Sequence, residues 1–344
     1  MKSKFLRLLV ITLLLVSVFI AGCTAPTTQQ EPAAEPATEP TTGSAVEPSA
    51  GGMPKVYLLY PTLGFPFINA LMEGNEHYAA EIGVELTIFD GQMDDNKQYE
   101  QAQQAINDKV DLVILTVTGE GGGTIMRQLQ DAGIPCVILN QMPAEENEPY
   151  FTSAVVGDDV SHGTQLANLL IDLYGDELCN IVTIAGMASD SGSVGRAKGW
   201  EDTLAGKANY NIMATQSADW DKGRAMSVME DFLVKFGDTP GIDVVFCEDD
   251  GMAAGAVEAI KAAGRGGGQI KVFGVGLNKE GIANIKAGEQ YASAAHEPWD
   301  FAKMCFETVD TILKGGQVDK YVVPDDPVYT AENIDQYPYG DGTW

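Results

Sequence analysis

The sequence predicts an α/β protein built as two related, doubly wound parallel-sheet lobes. Three observations carry that prediction. From Lys55 onward, short apolar runs alternate with longer stretches of helical spacing, the pattern of a parallel sheet covered on both faces. The second half of the alternation echoes the first. Asp111-Leu-Val-Ile-Leu is answered by Asp243-Val-Val-Phe-Cys, and Ile134-Pro-Cys-Val-Ile-Leu by Ile270-Lys-Val-Phe-Gly-Val. Finally, Val244–Ala256 reads VVFCEDDGMAAGA: four apolar residues of a buried strand, three acids that end it, then a small-residue helix for which Asp250 is the expected N-cap. Ligands of open α/β sheets bind at the carboxyl ends of strands, so Glu248–Asp250 is expected to form one wall of a cleft.

Taken in order, the first set of strands is Lys55–Tyr60, Glu85–Phe89, Leu112–Leu115 and Cys136–Leu139. Ala80, Ile82 and Gly83 close the first intervening helix; Tyr99, Ala102, Ala105 and Ile106 mark the next. The second set is Ile181–Ile184, Tyr210–Thr215, Val244–Cys247, Val272–Val275 and Tyr291–Ala295. The tail Val323–Trp344, rich in Pro, Tyr and Asp, is expected to wrap the second lobe.

What precedes Lys55 is not part of the fold. Lys2, Lys4 and Arg7 followed by the apolar run Leu8–Ile20 form a secretory signal, too short for a permanent span. Ala21-Gly22-Cys23 resembles the bacterial lipoprotein signal, which implies a signal peptide at 1–22 and lipidation of Cys23, hence an extracytoplasmic chain anchored to the membrane. Residues 24–53, rich in Pro, Thr, Ala, Glu and Gly, have no apolar face and are expected to act as a tether. The formal net charge of −28 excludes nucleic acid as a partner, since phosphate would be repelled. Cys136, Cys179, Cys247 and Cys305 read as buried small hydrophobes, with Cys179 just ahead of a strand.

The strand ends carry Gly64-Phe65-Pro66-Phe67, Asn140-Gln141, a Gly/Ser loop from Gly186 to Arg196, Asp219-Trp220, Glu248–Asp250, Asn278 and His296. Aromatic faces cover the C–H faces of a sugar ring, and planar polar groups satisfy its hydroxyls in pairs. Nothing among them resembles an activated nucleophile. Pro61-Thr-Leu-Gly-Phe-Pro follows the first strand where a dinucleotide fold would need G-x-G-x-x-G, and Gly119–Gly123 lacks the Lys-Ser/Thr of a phosphate loop and reads as a turn opening a helix. Asp95 stands where a calcium loop needs glycine. Three scattered histidines, with His77 and His162 read as helix-surface residues, support no metal site. No cofactor is expected.

These residues also carry a resemblance. GFPFINALMEG at 64–74, GIPCVILNQ at 133–141, GSVGRAKGW at 192–200, ADWDKGRAM at 218–226, FCEDDGMAAGA at 246–256, VFGVG at 272–276 and AHEP at 295–298 are similar, in this order, to the periplasmic sugar-binding proteins of the ribose-binding type. The resemblance implies the type I periplasmic binding protein fold, with a three-crossing hinge. Its implied lobes are 54–156 plus 297–322 and 157–296 plus 323–344. The family's stacking aromatics fall on Phe67 and Trp220, its second first-lobe aromatic on Ile68, and its ring-gripping guanidinium on Arg196. Its second-lobe Asn becomes Asp249, its hinge-side Gln His296, its Asp-Arg pair Asn140-Gln141, its later Asp Gly276 and its early Asn Phe65. Losing two carboxylates and an arginine argues against ribose and for another pentose or hexose, a polyol or another small polar ring. The implied function is a monomeric solute-binding lipoprotein that delivers its ligand to an ABC permease. The alternatives are a sensor of the same fold reporting to a kinase or chemoreceptor, and a sugar-processing enzyme, which the missing acid–base constellation disfavours.

Overall fold

The computed structural model describes residues 52–117, 122–237, 239 and 241–344. The signal segment, Cys23 and the tether up to residue 51 lie outside the described residues, as do Gly119–Gly121. The first sheet is assembled from β1 (Lys55–Tyr60), β2 (Glu85–Asp90), β3 (Leu112–Leu115), β4 (Cys136–Asn140) and β5 (Ser153–Val156), interleaved with α1 (Pro66–Ile82), α2 (Asp95–Asp108) and α3 (Gly122–Asp131). Then follow α4 (Asp159–Tyr174), β6 (Cys179–Ala185), α5 (Ser191–Leu204), β7 (Tyr210–Ser217), α6 (Lys222–Phe236), β8 (Val244–Cys247), α7 (Asp250–Ala262), β9 (Lys271–Gly276), α8 (Lys279–Lys286) and β10 (Ala292–Ala295). The chain ends with α9 (Pro298–Leu313), β11 (Tyr321–Val322) and β12 (Val328–Thr330).

Strand order is β11-β5-β4-β3-β1-β2 in one sheet and β12-β10-β9-β8-β6-β7 in the other. The first is parallel throughout. The second departs from the expectation at its edge, where β12 runs antiparallel to β10. β5 and the two short edge strands escape apolar-run reading, and β6 begins at Cys179, two residues earlier than expected.

Each sheet has cores on both faces. Val56, Leu58 and Leu71 pack with Phe301, Cys305 and Phe306 on one side of the first sheet, while Leu59, Val113 and Ile138 pack with Ala102, Ile125 and Leu129 on the other. In the second sheet, Val182 and Val245 pack with Phe232 and Ile260, and Phe246 and Phe273 with Leu170 and Trp200. Helix α9 thus belongs to the first core and α4 to the second. The chain passes between the sheets three times: from β5 into α4, from β10 into α9, and between β11 and β12.

Among the described residues, seven helices begin on a side chain that accepts a backbone N–H of the first turn: Asp94, Asp158, Asp190, Asp221, Asp249, Asn278 and Glu297. Asp249, and not the expected Asp250, caps α7. Its Oδ1 accepts from Met252 N at 2.7 Å. Arg196 lies in the second turn of α5, since that helix starts at Ser191.

Candidate functional site

The carboxyl ends of both sets of strands face each other and enclose a cavity of about 700 Å³. Phe65, Phe67, Asn140, Gln141, Arg196, Trp220, Asp249 and His296 all line it, joined by Ile68. Phe65 and Phe67 come from the start of α1, where Pro66 at the first helical position fixes the chain direction. Asn140 ends β4 with φ 69° and Trp220 follows β7 with φ 64°, left-handed conformations uncommon outside glycine and typical of functional edges. Trp220 lies so close to Gly186 that a Cβ there would come within 2.1 Å of the indole.

Arg196 is 7 % exposed and fully committed on one side. Its Nε donates to Asp159 Oδ1 at 2.9 Å, Nη1 donates to the Glu248 carbonyl, and the guanidinium sits 5.7 Å from the Trp220 ring centre. This geometry depends on how closely α4 and α5 cross. A Cβ on Gly163 would meet the Arg196 carbonyl at 2.1 Å, and one on Gly199 the Val160 carbonyl at 2.0 Å. Burial favours the neutral acid at Asp159, but the neighbouring guanidinium and the two histidines outweigh it and hold the carboxyl well below its usual range. The same partnership raises Arg196 above its ordinary value despite burial.

Of the acids expected to form one wall, only Asp249 lines the cavity. Glu248 is buried and accepts from Gly186 N and Ser193 Oγ. Asp250 is buried and accepts from Leu277 N, Gln290 Nε2 and Ser293 Oγ, tying α7 to β9 and β10. Burial pushes the Asp249 carboxyl up to about 7, against Met252 N–H and Arg196, which pull it down. Glu248 is likewise pushed up to about 7 by burial.

His162 is a correction to the surface reading: it is fully buried, with Nε2 2.9 Å from Asp326 Oδ2 and Nδ1 3.4 Å from Asp159 Oδ1. His296 packs edge-on against it at 5.4 Å and stacks on Phe67 at 5.0 Å. Histidines dispersed in sequence thus meet in space, and Asp159, His162 and His296 could offer three ligand atoms to a cation. The Arg196 guanidinium on Asp159 opposes that use electrostatically. Each crossing contributes to this group: Asp159 and His162 follow the first, His296 sits at the second, Asp326 at the third. Burial lowers His296, whereas the Asp159 and Asp326 carboxylates raise His162 against its own burial.

Across the cleft, Gln141 Nε2 donates to Asp190 Oδ2 at 3.0 Å and Ser191 Oγ donates to Gln141 Oε1 at 2.7 Å. Sequence reading missed Asp159, Asp190, Thr116 and Trp344 among the lining residues. Asp159 follows β5, which was not read as a strand, and Asp190 lies within the expected Gly186–Arg196 loop without having been singled out. Trp344 lies in a tail without periodicity. Gly276, at the position of a family carboxylate, has φ 134° and leaves space that the Trp344 ring fills at 3.1 Å from where a Cβ would stand.

The sequence matches the periplasmic binding protein domain over residues 56–317. It is 30 % identical over 280 residues to the ribose import binding protein RbsB of Bacillus subtilis, covering 80 % of this chain and 88 % of that one. It is 28 % identical to the xylitol-binding protein of Mycolicibacterium smegmatis, covering 78 % and 75 %. Among solved structures, the Caulobacter myo-inositol binding protein bound to myo-inositol superposes with a TM-score of 0.77 at 26 % identity, covering 86 % of this chain and 98 % of that one. A two-sheet α/β body, a cavity at facing strand ends and a domain match across most of the chain agree: this protein belongs to the periplasmic binding protein family.

Proposed function

We propose that the protein captures a sugar or related small polyhydroxy compound in this cavity and delivers it to an ABC permease, without chemical change to the ligand. The observation that carries the reading is the convergence of Phe65, Phe67, Trp220, Arg196, Asn140 and Asp249, from both sheets, on one cavity. Aromatic walls suit C–H faces, and a guanidinium, an amide and a carboxylate suit paired hydroxyls. Ribose, xylitol and myo-inositol in the names of similar proteins support that ligand class. Closure follows from a ligand touching both lobes, which shifts the population of open and closed forms. The proposed lobes are 54–156 with 297–322 and 157–296 with 323–344, acting as a monomer, tethered outside the cytoplasm through lipidated Cys23. A thermal-shift screen against pentoses, hexoses, pentitols and inositols tests the ligand class, because a ligand specific for the folded form raises Tm. No shift with any of these at millimolar concentration would refute it.

A further inference from the structure

We infer that Trp344, from the tail beyond the family-matched residues, is a ligand-facing wall of the cavity and sets affinity for ring-shaped ligands; this rests on the solute-binding reading above. The indole lines the cavity together with Phe67, which it meets edge-on at 5.4 Å. It enters from the opposite lobe. Lys279 N, at the start of α8, donates to the Trp344 carbonyl at 2.8 Å. The segment leading to it is pinned at the second crossing, where Tyr337 Oη and Thr343 Oγ1 each donate to the Glu297 carboxylate at 2.6 Å. A tail tied down this firmly does not present its last aromatic by chance.

The Trp344 Nε1–H is buried and finds no acceptor among the described residues. A tryptophan kept only to fasten the tail would ordinarily pair that donor, because leaving it unpaired is costly. What holds the indole in place is its ring, against Phe67 and the backbone of Gly276. It faces the cavity beside the backbone of Gly276, where the family resemblance would place a carboxylate. A hydroxyl acceptor is thus replaced by an aromatic plane, and a plane favours the flat C–H face of a ring.

Calorimetry with the tightest-binding pentose, hexose or inositol of the thermal-shift panel tests this on the wild type, Trp344→Ala and Trp344→Phe, and a wild type that binds only a pentitol overturns the inference alone. Trp344→Ala should weaken binding 10-fold or more, and Trp344→Phe should stay within about 3-fold, with ligand-free Tm little changed in both. Trp344→Ala within 3-fold of wild type, or a loss of ligand-free Tm without loss of affinity, would overturn the inference while leaving the function standing. A wild type that binds nothing in the panel overturns both.

Discussion

Removing the Asp159 carboxylate should be among the most damaging single changes to this protein. Asp159 and Arg196 are 8 % and 7 % exposed, and their 2.9 Å contact is charge-assisted. In Asp159→Ala the guanidinium keeps its hydrogen bond to the Glu248 carbonyl, the Trp220 face and the field of Asp190 and Asp249, but loses its contacting ion-pair partner. Breaking one side of such a pair costs about 3–5 kcal/mol. At roughly 2–4 °C per kcal/mol for a body of this size, Tm should fall by roughly 6–20 °C. Arg196→Met in the same chain removes the orphaned charge and keeps much of the volume, so the double variant should be more stable than Asp159→Ala alone by at least about 1 kcal/mol. The sign with pH follows from the depressed Asp159 carboxyl: its contribution is present above the ordinary carboxyl value and lost only as pH falls through the lower folded value. The penalty should therefore persist undiminished from pH 8 down to pH 5. Urea unfolding followed by circular dichroism measures all of this. A single variant within about 1 kcal/mol of wild type, or a double variant whose cost equals the sum of the singles, would refute the reasoning.

Three further outcomes follow from the geometry. Gly199→Ala places a methyl against the Val160 carbonyl, so α4 and α5 must separate; a loss of about 1–3 kcal/mol in urea unfolding is expected, together with weaker ligand binding, and wild-type values for both would contradict the close crossing. Trp220→Ala should cost about 1–3 kcal/mol of binding by calorimetry, and unchanged affinity would remove Trp220 from the site. Asp249→Asn keeps the α7 cap but cannot ionise. Because the folded Asp249 carboxyl is raised to about 7, its contribution is present below the ordinary value and lost as pH climbs through 7. The variant's Tm should match wild type near pH 4 and exceed it at pH 8; a difference that does not vary with pH would count against the shift.

The strands that sequence reading placed to the residue are the apolar runs β1, β3 and β8; the half-exposed edge strands β2 and β7 were found with their starts right and their ends short, and the buried β5 was missed. The short edge strands β11 and β12 were invisible because their pairing comes from distant partners, Ala154 with Tyr321 and Ala292 with Thr330. Of the eight candidate site residues, Asn140, Gln141, Trp220, Asp249 and His296 lie at or just past strand ends, Phe65 and Phe67 at the start of α1 and Arg196 in the second turn of α5. Orientation is less readable than position. Asp249 and Asp250 are chemically alike, and the choice of cap is made by Leu277, Gln290 and Ser293, which capture Asp250 from other elements. Helical periodicity put His162 outside, but a polar residue can face inward when Asp326, 164 residues later, answers it.

That buried His–Asp group has a mechanical consequence. Because each of the three connecting passages supplies a member, the passages are fastened together beside the cavity, and the proposed parting of the lobes would turn about them. Displacement then scales with the lever arm. On that proposal Asn140 and His296, which lie 3.3 Å apart beside the crossings, would move little as the lobes part, while the Gln141–Ser191 contact between them would open. On the same proposal a departing ligand would lose its contacts beside Asn140 and His296 last.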